Sequence, residues 1–472
     1  RKFKAMKIRF IEPGNRPYKK SIQNWFVYDK YIRTPSNGIL TLATILKQEY
    51  EDVFCYSESI SEIVWDDVLD ADIVCISIFT FNANRGYELA EYIRANSDAV
   101  IIFGGLHATL NWQETIKYAD YVLLGEGDET ILPLINDIAE HREPEFPGVV
   151  YSLEGKVICT GDPVIPTKID TIPDRTLLYN FKKMASHTTI WPQVHASRSC
   201  PHNCDYCALV AAFGRCFRGR TPEVVVEDIK QAIKFFDEGH HRLAKMLWIT
   251  DDNFFSDRKW AISVLDAIIA SDINYKFTIQ ARYEVGFDDE LLEKLKAAGF
   301  VELALGIEFL EDEAFQNYNK KSTYEEILRS VKNIQRHGLR ARGLFIVGAD
   351  NHEKGIGEKL ADFVVEHDIA GCLIQSMYFI PGTAAYESHK DELIQPCDWS
   401  RCTGKVVHYP KLISPVDLQK EIMIATRKIY SPKRLLNAIL KKRGLDRILF
   451  IGECLWHHSV RKDLKKDLEN LK

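Results

Sequence analysis

The octapeptide Cys200-Pro201-His202-Asn203-Cys204-Asp205-Tyr206-Cys207 decides how this chain reads. Three of the chain's 11 cysteines fall in these eight residues, where an even spread over the 472 residues would put about 0.2. The spacing is C-x3-C-x2-C. Thiolates are soft ligands suited to iron–sulfur clusters, and intervals of two and three residues let successive sulfurs converge on one cuboidal cluster. Three cysteines leave one iron of a four-iron cluster open. An open iron can bind a small molecule and pass it an electron, as a catalytic site requires. Zinc is the alternative metal, and it wants a fourth Cys or His at familiar spacing. His202 lies between the ligands and turns back poorly on the same ion, whereas Cys216 stands as a candidate fourth ligand.

Length and composition bound the rest. At 472 residues the chain is too long for one ordinary core and suggests two or three domains. A 46% hydrophobic content and a net charge of -6 describe a soluble globular protein, with no basic excess to suggest nucleic acid as the main partner. No apolar run approaches ~18 residues, so no membrane span is expected, and no signal-peptide pattern is read. The odd cysteine count, with scattered positions such as Cys55, Cys75 and Cys372, argues against a disulfide framework. A reducing cytoplasm fits best.

Residues 1–145 alternate strand-like and helical patterns: Lys7–Glu12, Gly38–Tyr50, Ile73–Phe79, Arg85–Asn96, Ala99–Phe103, Glu114–Ala119 and Tyr121–Leu124 in turn. Ile73–Phe79 is the nearly all-apolar kind of strand that a parallel sheet buries on both faces. This predicts a doubly wound α/β domain, which binds ligands at the carboxyl ends of its strands. Here those ends are Ser77–Thr80, Gly104-Gly105 and Gly125–Gly127. Residues 146–190 read as a proline-punctuated linker with a small β-hairpin. Residues 191–385 contain six strands in series with helices between them, short of the eight of a full barrel. Residues 386–472 read as a helical tail. From Glu421 to Arg447 the tail holds eight Lys/Arg against two Asp/Glu. That is the composition of a solvated basic helix pair, or of a surface for anionic lipid.

The cysteine octapeptide, with Tyr206 just before its third cysteine, resembles the signature of the radical S-adenosylmethionine (SAM) enzymes. Thr34-Pro35-Ser36-Asn37-Gly38, Ile101–Thr109 with its Gly104-Gly105-Leu106-His107, and Gly125-Glu126-Gly127 resemble the cobalamin-binding domain that precedes many radical SAM domains. The tail, with Asp398-Trp399 and His408-Tyr409-Pro410, is similar to the subgroup containing anaerobic Mg-protoporphyrin cyclase and hopanoid-modifying enzymes. The expected architecture is a Rossmann-like cobalamin domain, a partial (β/α)6 barrel and a helical tail. One departure stands out: the Asp-x-His-x-x-Gly motif, whose His ligates cobalt, is absent. His107 follows the wrong strand for that role and is expected to be structural.

The resemblance implies a 4Fe-4S cluster on Cys200, Cys204 and Cys207. It implies SAM contacts from Tyr206, Thr250, Asp251, Asp252, Gln280, Arg282, Glu308 and Gly348. Glu308 would accept from the ribose hydroxyls, Arg282 would pair with the SAM carboxylate, and Gly348 would admit the adenine. Cobalamin would meet Ser77, Thr80, Gly104, Gly105, Leu106, His107, Gly125, Glu126 and Gly127. The implied chemistry is reductive cleavage of SAM to methionine and a 5′-deoxyadenosyl radical, with methylation of an unactivated carbon as first choice. A radical cyclase or C–C bond former is the alternative, and a non-catalytic metal scaffold is the alternative of another class. The implied partners are a small or lipid-like substrate and an electron donor such as flavodoxin or ferredoxin. A membrane surface could be met through the basic tail. Cys397 and Cys402 are too few for a second cluster. Trp25, Phe26, Tyr28 and Tyr31 are expected to pack between domains.

Overall fold

The computed structural model describes residues 4–14, 36–185, 191–238 and 245–472. The aromatic set from Trp25 to Tyr31, and Thr34 and Pro35 of the N-terminal motif, lie outside the described residues. The first sheet has seven strands in the order β2-β1-β3-β4-β5-β6-β7. They are β1 (Lys4–Glu12), β2 (Tyr50–Ser57), β3 (Ile73–Ser77), β4 (Val100–Gly104), β5 (Tyr121–Leu123), β6 (Val149–Leu153) and β7 (Lys156–Cys159). The first five run parallel, in the order 2-1-3-4-5. That order reverses direction between β1 and β3, and ligands of such sheets bind outside the strand ends at the reversal.

Strand β3 is apolar almost throughout because both its faces are covered. One core contains Ile8, Phe10, Cys75 and Ile102, and the other Ile11, Val74, Ile76 and Phe103. Helix α1 (Asn37–Leu46) starts at Ser36, whose Oγ accepts from Gly38 N at 3.3 Å. The sequence reading ran this helix on to Tyr50 and missed β2. The acidic pair Glu51-Asp52 masks an edge strand whose later residues are buried. The hairpin read between the domains pairs antiparallel with β5, Tyr121 opposite Tyr151, and so completes the first sheet.

The second sheet is parallel, in the order β15-β14-β13-β12-β11-β8. Its strands are β8 (Gln193–Val194), β11 (Met246–Ile249), β12 (Lys276–Ala281), β13 (Phe300–Glu308), β14 (Arg340–Val347) and β15 (Gly371–Ser376). A two-stranded ribbon of β9 (Ser197–Arg198) and β10 (Arg218–Gly219) stands beside it. This is the six-stranded open barrel that the sequence implies. Val194, Ile249, Ile279, Leu303 and Val347 share its core.

The C-terminal helices are Pro415–Ile429, Pro432–Lys441 and Gly444–Asn470, called α11, α12 and α13 after the main helices preceding them. Those are α2 (Ala83–Asn96), α3 (Leu106–Leu110), α4 (Ile131–Ala139), α5 (Ala208–Phe213), α6 (Pro222–Asp237), α7 (Arg258–Ala270), α8 (Asp289–Ala297), α9 (Tyr324–Arg336) and α10 (Ile356–Glu366). The tail is more than a solvated appendage. Arg342 on β14 donates to Glu302 at 2.8 Å and pairs with Glu453 of α13. The Glu453 carboxylate also accepts from Tyr430 at 3.0 Å. Buried charges of this kind hold only when each is paired and hydrogen-bonded.

Glu12, at the carboxyl end of β1, is buried and accepts from Ser57 Oγ at 2.8 Å and Ser36 N at 3.4 Å. Burial pushes its carboxyl up from 4.5 to about 7. The folded chain therefore holds a proton that the unfolded chain releases above pH 4.5, and this contribution to stability is lost as pH rises through about 7. The interval is worth about 3 kcal/mol. Glu12→Gln should unfold several degrees above the parent protein at pH 8, with most of that gap gone at pH 5. A gap equal at both pH values in calorimetry would exclude Glu12 as the titrating group.

Candidate active site

The cysteine loop leaves the end of the first barrel strand and is held from three sides. Asp205 N donates to Tyr318 O at 3.2 Å, Ala385 N to Asp205 O at 3.0 Å, and Asn319 Nδ2 to Asn203 O at 2.9 Å. All three cysteines are half-buried and free. Asn253 Nδ2 lies 3.7 Å from the Cys200 sulfur and an Arg282 nitrogen 4.0 Å from that of Cys204. Burial pushes the Cys200 thiol up and that of Cys207 to about 11; a bound metal reverses that balance. Among the described residues, the His/Cys/Asp/Glu group whose ligand atoms all lie within 4.8 Å of one another is Asp350, His389 and Glu392, not the cysteines. Three thiolates on one short loop, with Asn253 and Arg282 beside two of them, form the soft donor set of an iron–sulfur cluster, so the residues present fit one. Cys216 is exposed, with its sulfur 4.0 Å from Phe217 O, and Cys397 and Cys402 are free, the first exposed and the second buried.

The strand-end residues divide sharply. Tyr206 packs edge-on against Phe309 and Tyr318, at 6.2 and 6.3 Å. Asp252 accepts from Ser199 N at 3.0 Å and lines the central cavity. Asp251 does not line it: the side chain is buried, and its carboxylate accepts from Ala196 N at 2.7 Å and from Ser197 Oγ. Its role is to fix the start of the cysteine loop. Thr250 likewise bonds back to Val194 O, through N at 3.0 Å and Oγ1 at 3.4 Å. Gln280 is half-buried on β12, opposite Ala304. Arg282 meets the Glu284 carboxylate at 2.8 Å as well as the Cys204 sulfur. Gly348 has φ +89°, and a side chain there would meet Leu418 Cδ2 at 2.7 Å and His408 Cε1 at 3.2 Å. The glycine is required by the close approach of α11 and the His408 loop, so the room expected for adenine on that side is filled.

Sequence reasoning missed Lys320. It is buried, with Nζ donating to Gly306 O at 2.6 Å and lying 3.5 Å from Glu308 Oε1. Burial, the largest cause, lowers its pKa against the pull of Glu308. Glu308 itself has φ +68°, a left-handed conformation that costs a residue with a side chain. Any side chain at Gly306 would meet Glu308 Oε1 at 2.9 Å. The Gly-Ile-Glu run is thus shaped around this acid and its lysine. Nothing in the Asn-Lys-Lys-Ser segment distinguishes Lys320 from its exposed neighbour Lys321.

Between the two sheets lies a cavity of about 360 Å³. Ser77, Gly104, Gly105, Leu106, Gly125, Glu126 and Gly127 line it from the first domain, and His195, Arg198, Phe213, Arg220 and Asp252 from the second. Two expected residues do not. His107 is fully buried, 3.2 Å from Thr80 Oγ1 and edge-on to Trp399, and burial lowers it to about 3. It is a neutral packing residue, and Thr80 is its partner. Glu126 is tied to the second domain: its carboxylate accepts from Arg218 at 2.7 Å and Arg198 at 3.2 Å. The turn's backbone is what remains for a ligand. Arg220 is buried and bridges Asp228, His195 O and Thr171 O, yet its Nε has no acceptor. A large ligand rich in carbonyl and phosphate oxygens supplies such an acceptor, so the cavity fits cobalamin.

Comparison with known proteins matches these two regions separately. Residues 32–135 match the B12 binding domain and residues 194–364 the radical SAM superfamily. The chain is similar to bacteriochlorophyllide d C-8(2)-methyltransferase of Chlorobaculum tepidum, 25% identical over 78% of this chain and 82% of the relative. It is similar to the anaerobic magnesium-protoporphyrin IX monomethyl ester cyclase of Rubrivivax gelatinosus, 27% identical over 73% of this chain and 63% of that one. Its fold matches that of the radical SAM methyltransferase TsrM of Kitasatospora setae, solved with cobalamin and an iron–sulfur cluster, with a TM-score of 0.71, 13% identity and 99% of each chain covered. A B12-binding domain seated on a radical SAM barrel, with a shared cavity beside the cysteine loop, places this chain among the cobalamin-dependent radical SAM enzymes, whose cofactors are a 4Fe-4S cluster, SAM and cobalamin.

Proposed function

We propose that the chain methylates an unactivated carbon of a small or lipid-like molecule. The observation that carries this reading is the shared cavity, where the strand ends of the first domain face Arg198, Phe213 and Asp252 from the cysteine-loop side. When bound, SAM at the cluster supplies a carbon-centred radical and cobalamin a transferable methyl group. The chain's own residues bind, orient and shield. Cys200, Cys204 and Cys207 would hold the cluster, with Asn253 beside the Cys200 sulfur and Arg282 beside that of Cys204. Glu308, braced by Lys320, would accept from the SAM ribose hydroxyls, and the backbone from Gly125 to Gly127 and from Gly104 to Leu106 would cradle cobalamin. The one-electron reductant is a flavodoxin- or ferredoxin-like protein, and the reaction belongs in a reducing cytoplasm.

Anaerobic reconstitution with iron, sulfide and hydroxocobalamin should yield four irons and one cobalt per chain. Candidate substrates incubated with SAM and a reductant should then gain the mass of one methyl group. Four irons without cobalt, or a product changed only by ring closure, would move the chain to the cyclase reading. Zinc in place of iron would end the radical mechanism.

Lys320→Met should weaken SAM binding by 10-fold or more, the worth of one charge-assisted hydrogen bond, with iron content and the cluster's visible spectrum unchanged. Isothermal titration of the reconstituted variant measures this. Parental SAM affinity would remove Lys320 from the site.

A further inference from the structure

Two features of the C-terminal helices are unused by that chemistry. The first is a cavity of about 280 Å³ between α11 and α13. Arg427, His458, Arg461, Lys462 and Lys465 line it, and no carboxylate does. None of its four Lys/Arg side chains forms an ion pair with a described residue. Arg461 donates to Tyr430 O at 3.0 Å, but its Nε is buried without an acceptor. Asp467, on the same helix, is taken by Lys405 at 2.8 Å. A cavity walled by four Lys/Arg side chains with no carboxylate among its lining residues is built for an anion.

The second feature is exposed apolar surface. Ile448 and Leu455 on α13 are 59% and 60% exposed. They stand seven residues apart, on one face, and the next step of seven reaches Lys462 at the cavity's lip. On α12, Leu436, Ile439 and Leu440 are 56%, 43% and 71% exposed and share a face by their spacing of three and four. Exposed aliphatic residues scattered singly are ordinary, but these fall at helical spacing on two consecutive helices. Exposed Lys433, Lys441, Arg443 and Arg447 flank them. A second copy docking through the same face would set cation against cation, whereas an anionic surface is a good electrostatic match for this end.

We propose that α12 and α13 dock on an anionic lipid surface, with a headgroup phosphate in the α11–α13 cavity and the exposed aliphatic side chains in the acyl boundary. This goes beyond methyl transfer and stands or falls without it. The test is co-sedimentation of the full reconstituted chain with phosphatidylcholine vesicles, with or without roughly one third phosphatidylglycerol, and with inorganic phosphate as the soluble competitor. The chain should bind the anionic vesicles at least 10-fold more tightly than the neutral ones. The triple change Arg427→Gln, Lys462→Gln, Lys465→Gln should remove that preference, and Leu436→Ser with Leu440→Ser should weaken binding while iron content and thermal unfolding stay parental. Equal binding to both vesicles, or none to either, overturns the proposal. So does saturation by inorganic phosphate without vesicle binding, which makes the cavity a soluble-anion site. Lipid-independent dimerisation abolished by the two Leu→Ser changes overturns it as well, by making the face a self-association surface.

Discussion

The site depends on one ionic junction. Arg198 and Arg218 lie opposite each other on β9 and β10, and both reach across the domain boundary. Arg198 takes Asp128 at 2.7 Å, and Arg218 takes Glu126 at 2.7 Å. Arg198 lies two residues before Cys200, and Glu126 lies in the turn that ends β5, so the junction ties the cysteine loop directly to the floor of the cavity. These acids and arginines are largely buried. A buried ion pair adds little over a well-packed apolar pair, but losing one partner strands the other at a cost of about 3–5 kcal/mol. The junction is therefore a weak source of stability and a strong source of position. It sets two cofactor sites, built by separate folding units, at one fixed spacing. The buried Arg175–Asp228–Arg220 chain, at 2.8 and 2.7 Å, does the same from the linker side.

Within the barrel the same logic recurs on a smaller scale. Lys320 is a buried cation beside the Glu308 carboxylate, and the two are held by a glycine carbonyl and a left-handed backbone turn. Each member would be costly alone. Together they present a carboxylate whose direction is fixed before any ligand arrives, which reduces the ordering cost of binding.

Much of this was legible from residue patterns. The all-apolar β3 could only be a strand covered on both faces, and the strand–helix alternation from Trp191 to Thr383 could only be parallel. The cysteine spacing carried the cluster because it is local: three ligands within eight residues need no tertiary information. The junction was not legible. Glu126 reads as part of a glycine-rich ligand turn, and only the fold shows Arg198 and Arg218 converging on it. His107 and Asp251 misled for the same reason. A polar residue at a strand end looks ligand-facing until its neighbours are known, and these two turn out to face Thr80 and Trp399, and Ala196 and Ser197. Strand β2 escaped because its first exposed residues are acids, which an edge strand tolerates and a periodicity reading rejects.

The C-terminal region shows how an open barrel meets its own incompleteness. Six strands leave β8 and β15 without a second neighbour, and a closed ring would need two more. Instead, α11 packs on α10, and Glu453 of α13 enters between Arg342 and the bare backbone of Gly371, where a side chain would collide with its carboxylate. Gly348 yields the same way to Leu418 and His408. The tail is thus built into the barrel through positions that only glycine can vacate, and its inner face is fully committed. Its outer face, where the Lys and Arg side chains lining the α11–α13 cavity form no ion pair and the aliphatic side chains of α12 are bare, has no such partner among the described residues. That asymmetry, on helices so firmly anchored, is what makes an external surface the natural complement of this end of the molecule.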